Sequence, residues 1–163
     1  MAEKLMGWVN NLAEPKRTNR FELLLSNELR LTCHQVSIPG INISEVGIDR
    51  MHEIYYVAGS KVTYDEVKLS FYDFVDNAAS KSLLAWYNTI YDRGTSVMGY
   101  PKDYKRDLTL LVYGPDHSTV ESWLFVGCWP KDLKYGTMDW KNGTDVRNVE
   151  VTLRIDQAKL TLG

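Results

Sequence analysis

The side chains able to do chemistry are few and poorly spaced for it. Asp49-Arg50-Met51-His52-Glu53 sets a His beside a Glu, but no second His follows at the interval that would put two imidazoles on one helix face around zinc. The segment also lies in strand-like sequence, where adjacent side chains point to opposite sides, so it reads as the polar part of a hairpin. Cys33-His34 fails for the same reason, since neighbours on a strand cannot converge on one ion. Pro101-Lys102-Asp103-Tyr104-Lys105-Arg106 gathers basic and aromatic groups that could touch a phosphate, yet Asp103 and Asp107 offset the charge and point to a solvated loop. A glycine-rich phosphate loop, a serine-centred nucleophile elbow and a paired-carboxylate motif are all absent. The residues point away from an enzyme and call for no metal or cofactor.

Composition excludes more. A formal charge of −2 gives the chain no electrostatic reason to seek a nucleic-acid backbone, because such binding relies on Lys and Arg displacing counterions. The first twenty residues hold no continuous apolar core of signal-peptide length, and no later run approaches the ~20 apolar residues of a membrane span. A cytosolic product without membrane insertion is expected. Cys33 and Cys128 are too few for a disulfide framework, so reduced, buried thiols are expected; a bridge would require two distant strands to align. With 163 residues, no repeat and no Gly-, Pro- or Ser-rich linker, residues 1–163 read as one domain.

The elements that must position these side chains are mostly strands. Residues 1–18 form an arm with Leu5, Trp8, Val9 and Leu12 at helical spacing, ended by Pro15 and left through Lys16-Arg17. FELLLS and LRLTCHQVSI read as a hairpin turning at Ser26-Asn27-Glu28. ISEVGIDRMHEIYYV and KVTYDEVKLSFYDF read as a second, long hairpin turning at Ala58-Gly59-Ser60, with residues 41–61 as its extended part. The spacing predicts a helix over 77–92, with Asp76 or Asn77 as N-cap, a stripe of Leu83, Trp86, Tyr87, Ile90 and Tyr91, and Gly94 as the helix-ending residue of positive φ. Three further strand candidates follow: DLTLLVYG, STVESWLFVGCW and VRNVEVTLRIDQAKL. The last alternates cleanly, with Val149, Val151, Leu153 and Ile155 against Glu150, Thr152, Arg154 and Asp156. Residues 119–128 are apolar on both faces and must be covered twice. The count is about seven strands and one helix. The fold class is therefore mainly β: antiparallel sheets in a sandwich or partly rolled barrel, flanked by a single α-helix.

Surplus association surface stands out where chemistry does not. The arm, the run Ile54-Tyr55-Tyr56-Val57 and the aromatic stretch from Gly127 to Trp140, which Trp129-Pro130 breaks as a strand, together favour self-assembly.

In this order the elements resemble the tail tube proteins of contractile-tailed bacteriophages, related to the tubes of R-type pyocins and type VI secretion systems. The resemblance rests on NRFELLL, Ser37-Ile-Pro-Gly40, Val57-Ala-Gly59 before Thr63-Tyr-Asp-Glu66, a helix with Trp86, Asp103-Tyr104-Lys105, Gly127-x-Trp129-Pro130, Asp139-Trp140 and Glu150-Val-Thr-Leu153. It implies a structural subunit forming hexameric rings, whose strands complete a larger barrel around a channel and whose rings stack inside a contractile sheath. The implied partners are further copies of itself, the sheath protein, and baseplate and tail terminator proteins, with the tape measure protein and DNA in the lumen transiently. The implied location is the virion, after assembly in the bacterial cytoplasm. By this resemblance Leu5, Trp8, Val9, Ile54, Tyr55, Tyr56, Trp129 and Trp140 are subunit-interface candidates. Glu150, Thr152, Arg154 and Asp156 are lumen candidates, with Arg154 departing from a uniformly negative wall. Lys81, Asn88 and Asp92 are candidates for touching sheath. A baseplate tube-initiator or an injection-system tube subunit is the close alternative. A monomeric β-sandwich that stacks sugars on Tyr and Trp is the alternative from another class.

Overall fold

Strands dominate the computed structural model, which describes residues 13–163. They are β1 (Phe21–Leu24), β2 (Cys33–Val36), β3 (Ile41–Arg50), β4 (Glu53–Tyr64), β5 (Val67–Tyr72), β6 (Tyr91–Asp92), β7 (Val97–Met98), β8 (Arg106–Tyr113), β9 (Thr119–Lys134), β10 (Asn148–Arg154) and β11 (Gln157–Leu162). All pairings are antiparallel.

The long β9 belongs to two layers. Its first part lies between β8 and β11, with Leu124 opposite both Thr109 and Lys159, and β1 extends this layer beyond β8. Its last part pairs with β10, and β5 and β2 follow in order. Inward residues of both layers meet in one core: Leu23, Leu108, Leu110, Trp123 and Phe125 from the first, Val67, Leu69, Phe71, Val149, Val151 and Leu153 from the second. The expected sandwich is therefore present, and among the described residues it stays open, with β1, β2 and β11 each paired on one side only. The principal helix, Ala78–Ile90, packs Ala79, Leu83 and Trp86 into the same core and also buries Ile90. The indole N–H of Trp86 donates to the Tyr104 carbonyl at 2.7 Å, tying the helix to the short turn of helix Pro101–Tyr104.

Several expectations are corrected. Residues 21–38 are not a hairpin. Ser26 caps a one-turn helix, Asn27–Arg30, by accepting from the Leu29 N–H at 3.3 Å, and this turn sends β1 and β2 into different layers. The long hairpin turns at Met51-His52, and Gly59 stays within β4. A Cβ there would sit 2.3 Å from the Ser44 hydroxyl oxygen, so glycine serves close strand approach at the register shift near Ser44. β5 is a separate strand. Trp129-Pro130 does not end β9; Pro130 is buried beside the register shift of β10, where the ladder is already interrupted and a missing N–H costs little. The closing strand divides into β10 and β11 around Ile155-Asp156.

The helix begins one residue later than expected, with Asn77 left-handed and offering no side-chain cap, while the Asp76 carboxylate accepts from the Ala78 N–H at 3.2 Å. It ends when Tyr91 turns extended. Ser96, not Gly94, takes the positive φ of the following turn.

Candidate assembly surfaces

The hairpin β3–β4 is made almost wholly of exposed residues. Strands of this length reach about 35 Å. Outside the pair itself, its main contact is with β11. Val46 opposite Val57 and Ile48 opposite Tyr55 make one face apolar, with the Arg50 guanidinium 5.1 Å from the centre of the Tyr55 ring. Ile54, Tyr56 and Ala58 occupy the other face, opposite Asp49, Gly47 and Glu45, and Gly47 leaves the Tyr56 ring uncrowded. A two-stranded ribbon is marginal alone in water, and one that exposes apolar side chains on both faces is a surface that needs covering. The candidates Ile54 and Tyr56 share one face, and Tyr55 lies on the opposite one. Leu5, Trp8 and Val9 lie outside the described residues.

The outer face of the second layer is polar. Glu150 lies opposite Lys134 and Ser70, and Thr152 opposite Lys68 and Asp132. Glu66 hydrogen-bonds Lys131 and lies 3.9 Å from Arg154, while Lys134 lies 3.5 Å from Asp132. The Lys131 ammonium beside Glu66 holds its carboxyl below the usual carboxylate range. Glu150, Thr152 and Arg154 thus share one charge-paired face. Asp156 does not join them; it sits at the β10–β11 corner, 2.6 Å from the Lys105 ammonium.

The aromatic candidates separate. Trp129 is half-buried and meets Tyr104 edge to face, with centroids 6.2 Å apart, so it chiefly packs its own subunit. Trp140 is fully exposed in the loop between β9 and β10. Lys81 and Asn88 are exposed on the helix, but Asp92 belongs to β6, where its carboxylate accepts from the Gly94 N–H and the Thr95 hydroxyl, each at 2.9 Å. These bonds, the Gly94 one foremost, hold its carboxyl below the usual range.

Sequence reasoning missed Phe74 and Val75, exposed just past β5 and adjoining Val146 through the Asp73 N–H bond to the Arg147 carbonyl, 2.9 Å. Their apolar character suggested continued strand; nothing local marked them as surface. On the outer face of the first layer, Leu124 is exposed and Val120 and Val126 are half-buried, so the described residues cover the second apolar face of β9 only in part. Cys33 and Cys128 are both free.

A family model described as phage tail tube protein matches residues 4–158. No curated protein matches the sequence. Among solved structures, the chain is similar to one in the anti-feeding prophage cap, a tube terminating cap, at TM-score 0.77 and 18% identity over 93% of this chain and 94% of that one. It is similar at TM-score 0.74 and 18% identity to a chain of an extracellular contractile injection system, the PVC sheath-tube complex in its extended state, covering 93% and 95%. The SPP1 tail tube follows at TM-score 0.57 and 8% identity, covering 91% and 80%. At these identities the likeness is one of fold.

Proposed function

The chain belongs to the phage tail tube protein family, and from that membership we propose that it is the repeating subunit of a contractile-tail tube. Its fold is that of tail tube and contractile-injection-system tube subunits, and the family is one of structural proteins, not enzymes. In this reading hexameric rings stack into a conduit inside a sheath, within a phage particle assembled in the bacterial cytoplasm.

The observation that carries the reading is the projecting hairpin β3–β4, which exposes apolar side chains on both faces and, among the described residues, has few contacts outside its own pair. Another copy covers it, and the one-sided edges of β1, β2 and β11 are closed by neighbours in the ring, which removes the aggregation hazard of open edges. The arm with Leu5, Trp8 and Val9 and the exposed Trp140 add contacts to neighbours or the next ring. Lys81 and Asn88 on the helix face the sheath, with Asp92 beside them. Baseplate and terminator proteins bound the tube at its ends, and chains of like fold are named for an anti-feeding prophage tube terminating cap and baseplate. The polar outer face of the second layer, with Glu150, Thr152 and Arg154, lines the channel through which the tape measure protein and DNA pass.

A second reading, an injection-system tube with other cargo, is favoured by that face. Lys68, Lys131, Lys134 and Arg154 balance Glu66, Asp132 and Glu150, so the wall lacks the negative excess that would keep a phosphate backbone from adsorbing.

Electron microscopy across a concentration series tests assembly. Stacked rings with an open channel are expected. Monomers at every concentration, together with saturable sugar binding, would replace this reading with that of a monomeric binding module.

A further inference from the structure

The mouth of the sandwich between β1 and β2 holds a groove of about 250 Å³, lined by Phe21, Val36, Ile38, Leu110 and Val112. Lys16, Arg17 and Thr18 run along its rim, and Glu121 reaches it from β9. Only Leu110 among the apolar lining is fully buried, and Ile38 is half exposed, so the groove is an apolar surface awaiting an occupant.

Its chemistry restricts what that occupant can be. The Lys16 ammonium is 2.6 Å from one oxygen of the buried Glu121 carboxylate, whose other oxygen accepts from the Trp123 indole N–H. Lys16 is thus paired with Glu121, and Arg17 shares Glu14 with Arg20, each at 3.7 Å, so the walls of the groove and not its rim set the choice, and they favour apolar side chains.

The chain supplies such side chains next to the groove. Leu5, Trp8, Val9 and Leu12 recur at i, i+3, i+4 and i+7 and would share one side of a helical turn. Leu12 is four residues from Lys16, at most about 14 Å of extended chain, and Lys16 is fastened at the groove wall. We propose that the segment 5–12 seats its apolar side chains in the groove of its own subunit. A tether this short gives an effective concentration in the millimolar range, so in dilute solution the subunit's own segment outcompetes that of a second copy. The inference rests on this geometry and stands apart from the tube reading, under which the same segment is what a neighbour takes up when rings form.

Methyl-labelled full-length chain, kept at a concentration where it is monomeric, provides the test by nuclear magnetic resonance. Cross-peaks are expected from the Trp8 indole to the methyls of Ile38, Val36 and Val112. Trp8→Asp, which lies outside the described core, should abolish them and shift those methyls while leaving Leu69 and Leu153 unmoved. From the other side, Ile38→Asp should move the Trp8 signals to the positions of an unfolded peptide. Groove methyls indifferent to Trp8→Asp would overturn the proposal. So would cross-peaks found only between labelled and unlabelled chains in a mixed sample, which would place the segment on a second copy.

Discussion

Gly127 meets two demands at once. Its φ of +67° lies in the left-handed region where β9 passes from one layer to the other, and a Cβ there would be 2.3 Å from an Asp156 carboxylate oxygen. Its N–H also donates to the Asp107 carboxylate at 2.9 Å. Gly127→Ala should therefore cost roughly 1–3 kcal/mol in urea denaturation, the usual scale of such strain. An unchanged midpoint would mean that the corner relaxes freely. Nearby, burial, with the Asp107 charge adding to it, pushes the Cys128 thiol up to about 12, and burial pushes Cys33 up to about 11. Because the thiolate is the nucleophile, neither should be alkylated by iodoacetamide at about pH 8 until the chain unfolds, and mass spectrometry of native and urea-treated protein reads this directly. Glu121 behaves oppositely. Its hydrogen bond from Lys16, helped by that from Trp123, holds its carboxyl below the ordinary value despite burial. A depressed carboxylate contributes stability that is complete above the unfolded value of about 4.3 and lost as pH falls through the folded one. Glu121→Gln should be less stable than the native chain near neutral pH, with the gap in melting temperature closing on acidification below about pH 4.

The elements divide by whether their cause is local. β10 and the helix Ala78–Ile90 are legible because a two-residue alternation or a stripe at 3.6 spacing records which side meets the core. The hairpin β3–β4 buries neither side in its own subunit, so its apolar run disclosed a surface but not its turn, which Gly59 mimicked and Met51-His52 supplied. The partners of β1 and β2 were illegible for another reason. Phe21 opposite Val112 and Cys33 opposite Phe71 are long-range pairings set by which inward faces fill one core, not by the turn at Ser26. That Glu150, Thr152 and Arg154 share one face was readable from alternation, while Asp156 leaves that face because β10 ends at Arg154. Since only Tyr64, at the end of β4, packs against the core, replacing Tyr55 and Tyr56 together with Asp should stop tube formation while moving the melting temperature by no more than about 3 °C, the equivalent of about 1 kcal/mol in a domain this size. A large loss of stability would show the pair to be core.

For the molecule as a whole, the question is what kind of force would hold copies together. Nineteen basic against twenty-one acidic residues leave little net charge for copies to repel or attract through. The ion pairs Lys131–Glu66, Lys134–Asp132 and Lys105–Asp156 are already made within one subunit. Among the described residues the surface that most needs covering is apolar: the exposed side chains of β3–β4, Phe74 and Val75, Leu124 on β9, and Trp140. Surface charges are screened beyond about 10 Å at 0.1 M salt, whereas burial of apolar area is not weakened by sodium chloride and is strengthened by sulfate. The threshold concentration for assembly, read by pelleting, should therefore change less than about threefold between roughly 0.05 and 0.5 M sodium chloride, and should fall in ammonium sulfate. Tubes that dissolve at the higher chloride concentration would mean that charge contacts between copies dominate, and would move the search for the interface from the hairpin to the exposed Lys, Arg, Asp and Glu side chains.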